Sequence, residues 1–322
     1  MSSVRQILPA WSRQRVLNIG HRGARAFAPE NTLEAIAKAK TAGADMVELD
    51  VHLSRDRVPI VFHDDQLTHQ TNVKVRFPDR APWFVSQFTA AEITSLDAGS
   101  WYAMQLEQPA DRREAYLRDL MPDEIGELVS DADLSRYRAG SVHPAKLRDA
   151  LAHAKALQLL VNIELKALPR RYAGLGGAVV DVVQELEMVS HVLVSSFDHQ
   201  ELLEVRACDD RIATAILTRD RLARPVAYVR NLCGADALHP ACSGDSDSLG
   251  LDSLSGSIDR VTIDALRDAG LLVNVWTEND PVRMKALIDA GVTGIVTDYP
   301  NRLSRVLQEN ALAEPGAPAR SE

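Results

Sequence analysis

A chain of 322 residues, 46% of them hydrophobic and 25% charged, has the make-up of a soluble globular protein, long enough for one large α/β barrel or two ordinary domains. Its formal charge of -9 at pH 7 offers no basic face to a polyanion, so nucleic acid is not an expected ligand. Three cysteines (Cys208, Cys233, Cys242) without Cys-x-x-Cys spacing indicate neither a disulfide framework nor a zinc site.

Near the start, the apolar stretch 7–11 is only five residues long and contains Pro9. That is too short for a signal-peptide core, and no window resembles a membrane span, so a cytoplasmic protein without a membrane anchor is expected. From Val16 onward short β-rich runs recur at 16–20, 46–51, 59–63, 159–165, 191–197, 212–217, 235–239, 271–276 and 294–298. Many are separated by helical stretches, the rhythm of a parallel barrel. Asn31 with Glu34 reads as a capping box, Leu33, Ile36, Ala37 and Lys40 follow at helical spacing, and Gly43 supplies a left-handed stop. Asp280 and Pro281 start a second such helix, with Met284, Leu287 and Ile288 as its stripe and Gly291 as its end.

Nine strand candidates are one too many for an eight-stranded barrel. The link at 54–57, Ser-Arg-Asp-Arg, leaves no room for a crossover helix. The segment 46–63 therefore reads as a hairpin with at least one arm in the barrel, which brings His63 back beside Glu48 and Asp50. Residues 66–141 hold eight of the sixteen aromatics with poor periodicity, and read as an insertion with its own small core over one end of a barrel spanning 16–308. The Ser-, Asp- and Gly-rich stretch 241–257 reads as a solvated loop and 311–322 as a disordered tail.

Glu48 and Asp50 alternate with Val47, Leu49 and Val51, which puts both carboxylates on one face of a strand. A solvated outer face would require Val47 and Leu49 to point inward. Facing into a barrel instead, the two acids raise each other's pKa unless a cation lies between them. Glu164 and Lys166 repeat the i, i+2 pattern, and Glu164 as a third carboxylate completes an oxygen-rich site for Mg²⁺ or Ca²⁺. His21 and His63 each end a strand candidate, where barrels collect catalytic groups, and imidazole both gives and takes a proton near neutrality. The Arg22 fork suits phosphate oxygens, provided the turn at Gly23 re-aims it. Glu30 and Asn31 lie just beyond, Trp276 ends a strand where its indole could cover a substrate edge, and His239 ends another at the mouth.

The ordered motifs His21-Arg22-Gly23, Pro29-Glu30-Asn31-Thr32, Glu48-Leu49-Asp50-Val51, Val61-Phe62-His63-Asp64, Ile163-Glu164-Leu165-Lys166, Ser195-Ser196-Phe197, Val273-Asn274-Val275-Trp276-Thr277 and Gly294-Ile295-Val296-Thr297-Asp298 closely resemble the glycerophosphodiester phosphodiesterases. The resemblance implies a TIM (β/α)8 barrel of the PLC-like phosphodiesterase type, with a family-typical insertion. It implies one divalent cation, Mg²⁺ or Ca²⁺, at Glu48, Asp50 and Glu164, an acid and base pair in His21 and His63, and Arg22 and Lys166 on the phosphate. Glu30, Asn31, Phe197 and His239 are candidate supporting residues. The implied reaction is hydrolysis of a small-molecule glycerophosphodiester to sn-glycerol 3-phosphate and an alcohol such as choline, ethanolamine or glycerol, by way of a cyclic phosphate. Two departures stand out: Leu67-Thr68-His69-Gln70-Thr71 where the family usually has Arg-Thr-Thr, and His239 where a smaller polar residue is common. Two rivals keep the barrel, a lysophospholipase D-like enzyme and a phosphoinositide phospholipase-like one, both acting on lipids. A non-catalytic binding protein, the third, requires loss of a shuttle or ligand.

Overall fold

The computed structural model describes residues 15–167, 172–242 and 258–313. Most of the loop expected at 241–257, residues 314–322 of the expected tail and the apolar stretch 7–11 lie outside these residues, whereas 311–313, expected to be disordered, end the helix Pro300–Ala313.

Among the described residues ten strands form one sheet: β1 (Leu17–Gly20), β2 (Met46–Leu53), β3 (Pro59–Val61), β4 (Ala145–Lys146), β5 (Leu160–Leu165), β6 (Val192–Ser196), β7 (Ala213–Thr218), β8 (Ala237–Pro240), β9 (Leu272–Val275) and β10 (Gly294–Thr297). Eight of them are parallel and close on themselves, because β1 pairs with both β10 and β2. The chain is a TIM (β/α)8 barrel. β3 runs antiparallel to β2, with Val51 opposite Val61 and Leu53 opposite Pro59, so the hairpin is real and β2 is its barrel arm. The two-residue β4 pairs with β3 outside the barrel and carries too little pattern to be read from sequence.

Alternation along the strands sorts the core. Val47, Leu49, Val51 and Ile163 point outward into the large cluster under the helices. Inside, Leu17, Ile19, Met46, Leu160 and Val296 fill one part of the barrel, and Leu193, Ala213, Ala215 and Ala237 another. Two residues further along these inward rows stand His21, Glu48 and Ser195. The apolar plug thus gives way to polar side chains at the C-terminal ends of the strands, where α/β barrels place their chemistry.

The first helix, Leu33–Thr41, is capped by Thr32, whose hydroxyl accepts from Ala35 N, and not by Asn31. Its buried face is Ala35, Ile36 and Ala39, so the stripe lies beside the expected one, with Leu33 and Ala37 at its margin and Lys40 exposed. The helix Pro281–Asp289 starts as expected, with Asp280 accepting from Val282 N and Arg283 N. Between β3 and β4 the chain makes short helices. Leu67, Val73, Val85, Phe88, Ile93 and Leu96 form a separate cluster with Ile60 and Phe62. Tyr102, Leu117 and Tyr137 join the main core instead, and the Tyr102 hydroxyl donates to Ala26 O at 2.7 Å.

Candidate active site

Register brings the carboxylates together. β2 pairs with β5 so that Asp50 lies opposite Glu164, while Glu48 stands two residues back on the same face. One oxygen from each of Glu48, Asp50 and Glu164 falls within a sphere where all lie within 4.8 Å of one another. Burial first, and then Asp50 and Glu164, push the Glu48 carboxyl well above its usual range. Burial acts the same way on Asp50, but His63, Lys166, Arg22 and the Asn31 amide outweigh it and hold that carboxyl well below. Glu48 Oε1 is buried without a hydrogen-bond partner. An unpartnered oxygen in a crowd of three carboxylates fits a hard divalent cation, which would satisfy the oxygen and relieve the repulsion.

Both expected histidines border this triad, and each is held by a carboxylate. Asp298, at the end of β10, accepts from His21 Nδ1 at 2.7 Å, and His21 Nε2 lies 3.9 Å from Glu48 Oε2. Burial, and then Arg25, lower the His21 imidazole to about 4 although Asp298 pulls the other way. Asp64 sits 2.7 Å from His63 Nδ1. With Nδ1–H given to a carboxylate, each ring has Nε2 as an acceptor when neutral and a donor when protonated.

The turn after β1 re-aims Arg22. Arg22 and Gly23 take positive φ of 51° and 86°, and a Cβ at Gly23 would come within 2.6 Å of the Ala35 carbonyl carbon. Arg22 N consequently donates to Glu48 Oε2 at 2.9 Å, and its guanidinium donates to Glu30 at 2.6 Å and lies 3.4 Å from Asp50. Asn31, released from capping, donates to Asp50 Oδ2 at 2.9 Å while its own oxygen accepts from Asp50 N at 3.2 Å. Lys166 Nζ donates to Glu164 at 2.8 Å and lies 3.4 Å from Asp50.

Sequence reasoning overlooked several neighbours. Arg25 holds Asp298 through Nε at 2.5 Å and Nη2 at 3.1 Å, and Asn279 donates to the same carboxylate at 2.7 Å. Gln70 from the insertion donates to Glu30 at 2.8 Å. His52 lies under His63, with Nε2 3.0 Å from the His63 carbonyl and Nδ1 2.9 Å from the Tyr172 hydroxyl. The period of two carried a signal for His52, since it continues the inward row from Glu48 and Asp50.

Phe197 and Trp276 meet edge to face, ring centres 5.5 Å apart. His239 does not reach the mouth: it is 1% exposed, its Nε2 accepts from Asn274 Nδ2 at 3.0 Å, and its carbonyl accepts from Trp276 Nε1 at 2.8 Å. Its support is for the Trp276 ring. An open cleft of about 1090 Å³ leads away from His63 and Lys166, between Gln66, Thr68 and Phe84 on one side and Phe197, Thr218 and Arg219 on the other.

Comparison with known proteins places the chain in a family. The family model described as "Glycerophosphoryl diester phosphodiesterase family" matches residues 21–302. A glycerophosphodiester phosphodiesterase of Caldanaerobacter subterraneus subsp. tengcongensis is 27% identical over 92% of this chain and 99% of its own. One of Bacillus altitudinis is 28% identical over 90% and 97% respectively. Among solved structures, an Oleispira antarctica phosphodiesterase in complex with the product sn-glycerol-3-phosphate has a TM-score of 0.66 at 23% identity, covering 91% of this chain and 96% of that one.

Proposed function

The chain belongs to the glycerophosphoryl diester phosphodiesterase family and is a phosphodiesterase, and on that premise we propose that it hydrolyses glycerophosphodiesters to sn-glycerol 3-phosphate and an alcohol, with one divalent cation. The observation that carries the reading is the pair of carboxylate-held imidazoles, His21 with Asp298 and His63 with Asp64, near the Glu48, Asp50 and Glu164 triad. A diester needs charge compensation on its non-bridging oxygens together with a proton acceptor and a proton donor.

His21, which burial keeps neutral, takes the proton of the glycerol 2-hydroxyl on Nε2 as that oxygen attacks phosphorus. His63, which lines the cleft, gives a proton to the departing alcohol as its P–O bond breaks. Water then opens the cyclic glycerophosphate with the two roles exchanged. Arg22 and Lys166 face the charge on the equatorial oxygens. Mg²⁺ or Ca²⁺ held by Glu48, Asp50 and Glu164 would add positive charge at the same oxygens.

The route is tested with a glycerophosphocholine analogue lacking the 2-hydroxyl. The analogue is expected to be inert while glycerophosphocholine releases glycerol 3-phosphate. Equal turnover of both would contradict attack by the 2-hydroxyl.

A further inference from the structure

The far wall of the cleft has no part in the chemistry above. The guanidinium carbon of Arg219 lies 5.6 Å from the Phe197 ring centre and 5.7 Å from that of Trp276. Arg219 is exposed, lines the cleft, and has no carboxylate partner among the described residues. The other cationic or protonatable groups there are engaged. Lys166 is on Glu164 and Asp50, His63 is on Asp64, and the two His199 nitrogens meet the Tyr228 hydroxyl and the Leu217 carbonyl. Arg219 therefore keeps a fork that matches a carboxylate. An uncovered aromatic pair is a ready seat for a quaternary ammonium, but here a guanidinium already occupies it. Asp65 and Asp220 line the same cleft and are available to an ammonium.

We propose that Arg219 is a specificity-determining residue that receives a carboxylate on the departing alcohol. The preferred substrates are then glycerophosphodiesters of an amino-acid-type alcohol, with the carboxylate on Arg219 and the ammonium toward Asp65 and Asp220. A choline leaving group would set a fixed cation beside Arg219 and leave the fork unpaired. The inference rests on the phosphodiesterase reading and on the alcohol lying on the His63 side of phosphorus.

Glycerophosphoserine and glycerophosphoethanolamine differ by the carboxylate alone, so their kcat/KM ratio isolates its recognition. The wild-type ratio is expected to favour serine by about tenfold, the worth of one charge-assisted hydrogen-bonded pair. Arg219→Ala should bring the ratio toward one and Arg219→Glu below it, while Arg219→Lys retains part of the preference. A ratio unmoved by Arg219→Ala, or a wild-type ratio at or below one, would overturn the Arg219 assignment and leave the phosphodiesterase reading standing. Failure of the wild type to hydrolyse either diester, or glycerophosphocholine, would overturn both.

Discussion

Asp64 and Asp298 touch no reacting atom in this account, yet each fixes which nitrogen of an imidazole faces the substrate. Asp64 is the cleaner test, being half-exposed, whereas Asp298 also anchors Arg25. Asp64→Asn should lower kcat by about ten- to a hundredfold with little change in KM, as expected when an orienting partner is lost. Steady-state kinetics checks this, and a loss confined to KM would contradict it. His239 gives a separate prediction. Burial lowers its imidazole from the ordinary 6.5 to about 3. Above pH 6.5 both folded and unfolded chains hold it neutral. As the pH falls from there toward 3 the unfolded chain takes up a proton that the folded chain refuses, so stability falls by up to about 1.4 kcal/mol per unit from this group. The fall in urea midpoint between pH 7 and pH 4.5 should therefore be smaller in His239→Gln than in the wild type; identical pH slopes would contradict the assignment. The site's main acids and imidazoles were legible because strand alternation assigns faces residue by residue. The orienting carboxylates were not: Asp298 meets His21 across 277 positions of sequence, and only barrel closure joins them.

Two elements decide the site's precision, the turn after β1 and the β2–β3 hairpin. The turn puts Arg22 N on Glu48 only because Gly23 takes φ +86° with Ala35 packed against its Cα. Gly23→Ala should destabilise the fold by about 1–3 kcal/mol, the usual cost of a strained backbone conformation, and should loosen cation binding as Glu48 loses its donor. Chemical denaturation and cation titration read the two effects; wild-type values in both would contradict it. The hairpin was legible from a loop too short for a crossover, and it seats His63 beside Asp50 as expected. The cap of the first helix was misread because Asn31 and Thr32 both suit the position. Thr32 takes it, leaving Asn31 at φ 58° to bridge to Asp50 through two hydrogen bonds. Local chemistry could not separate the two, since the deciding partner sits on another strand.

At the scale of the whole molecule, the barrel concentrates charge at one end and the insertion helps to roof it. Gln70 bonds Glu30, and Arg25 stacks on the Tyr116 ring at 4.0 Å. The barrel was legible because its strands alternate regularly, whereas every helix of the insertion runs to eight residues or fewer, too short to show a periodic stripe. Among the described residues no helix is long and apolar enough to cross a membrane. What unites barrel, hairpin and roof is a set of three carboxylates that the fold draws together within 4.8 Å. The proposed cation would offset the repulsion that Arg22 and Lys166 leave among them. The most direct measurement is release of glycerol 3-phosphate from a glycerophosphodiester before chelation, after it, and after Mg²⁺ or Ca²⁺ is restored, with Glu48→Gln alongside. Loss of activity on chelation, recovery on restoring the ion and no recovery in Glu48→Gln are the results expected. Full activity in the chelated wild type would contradict the central claim.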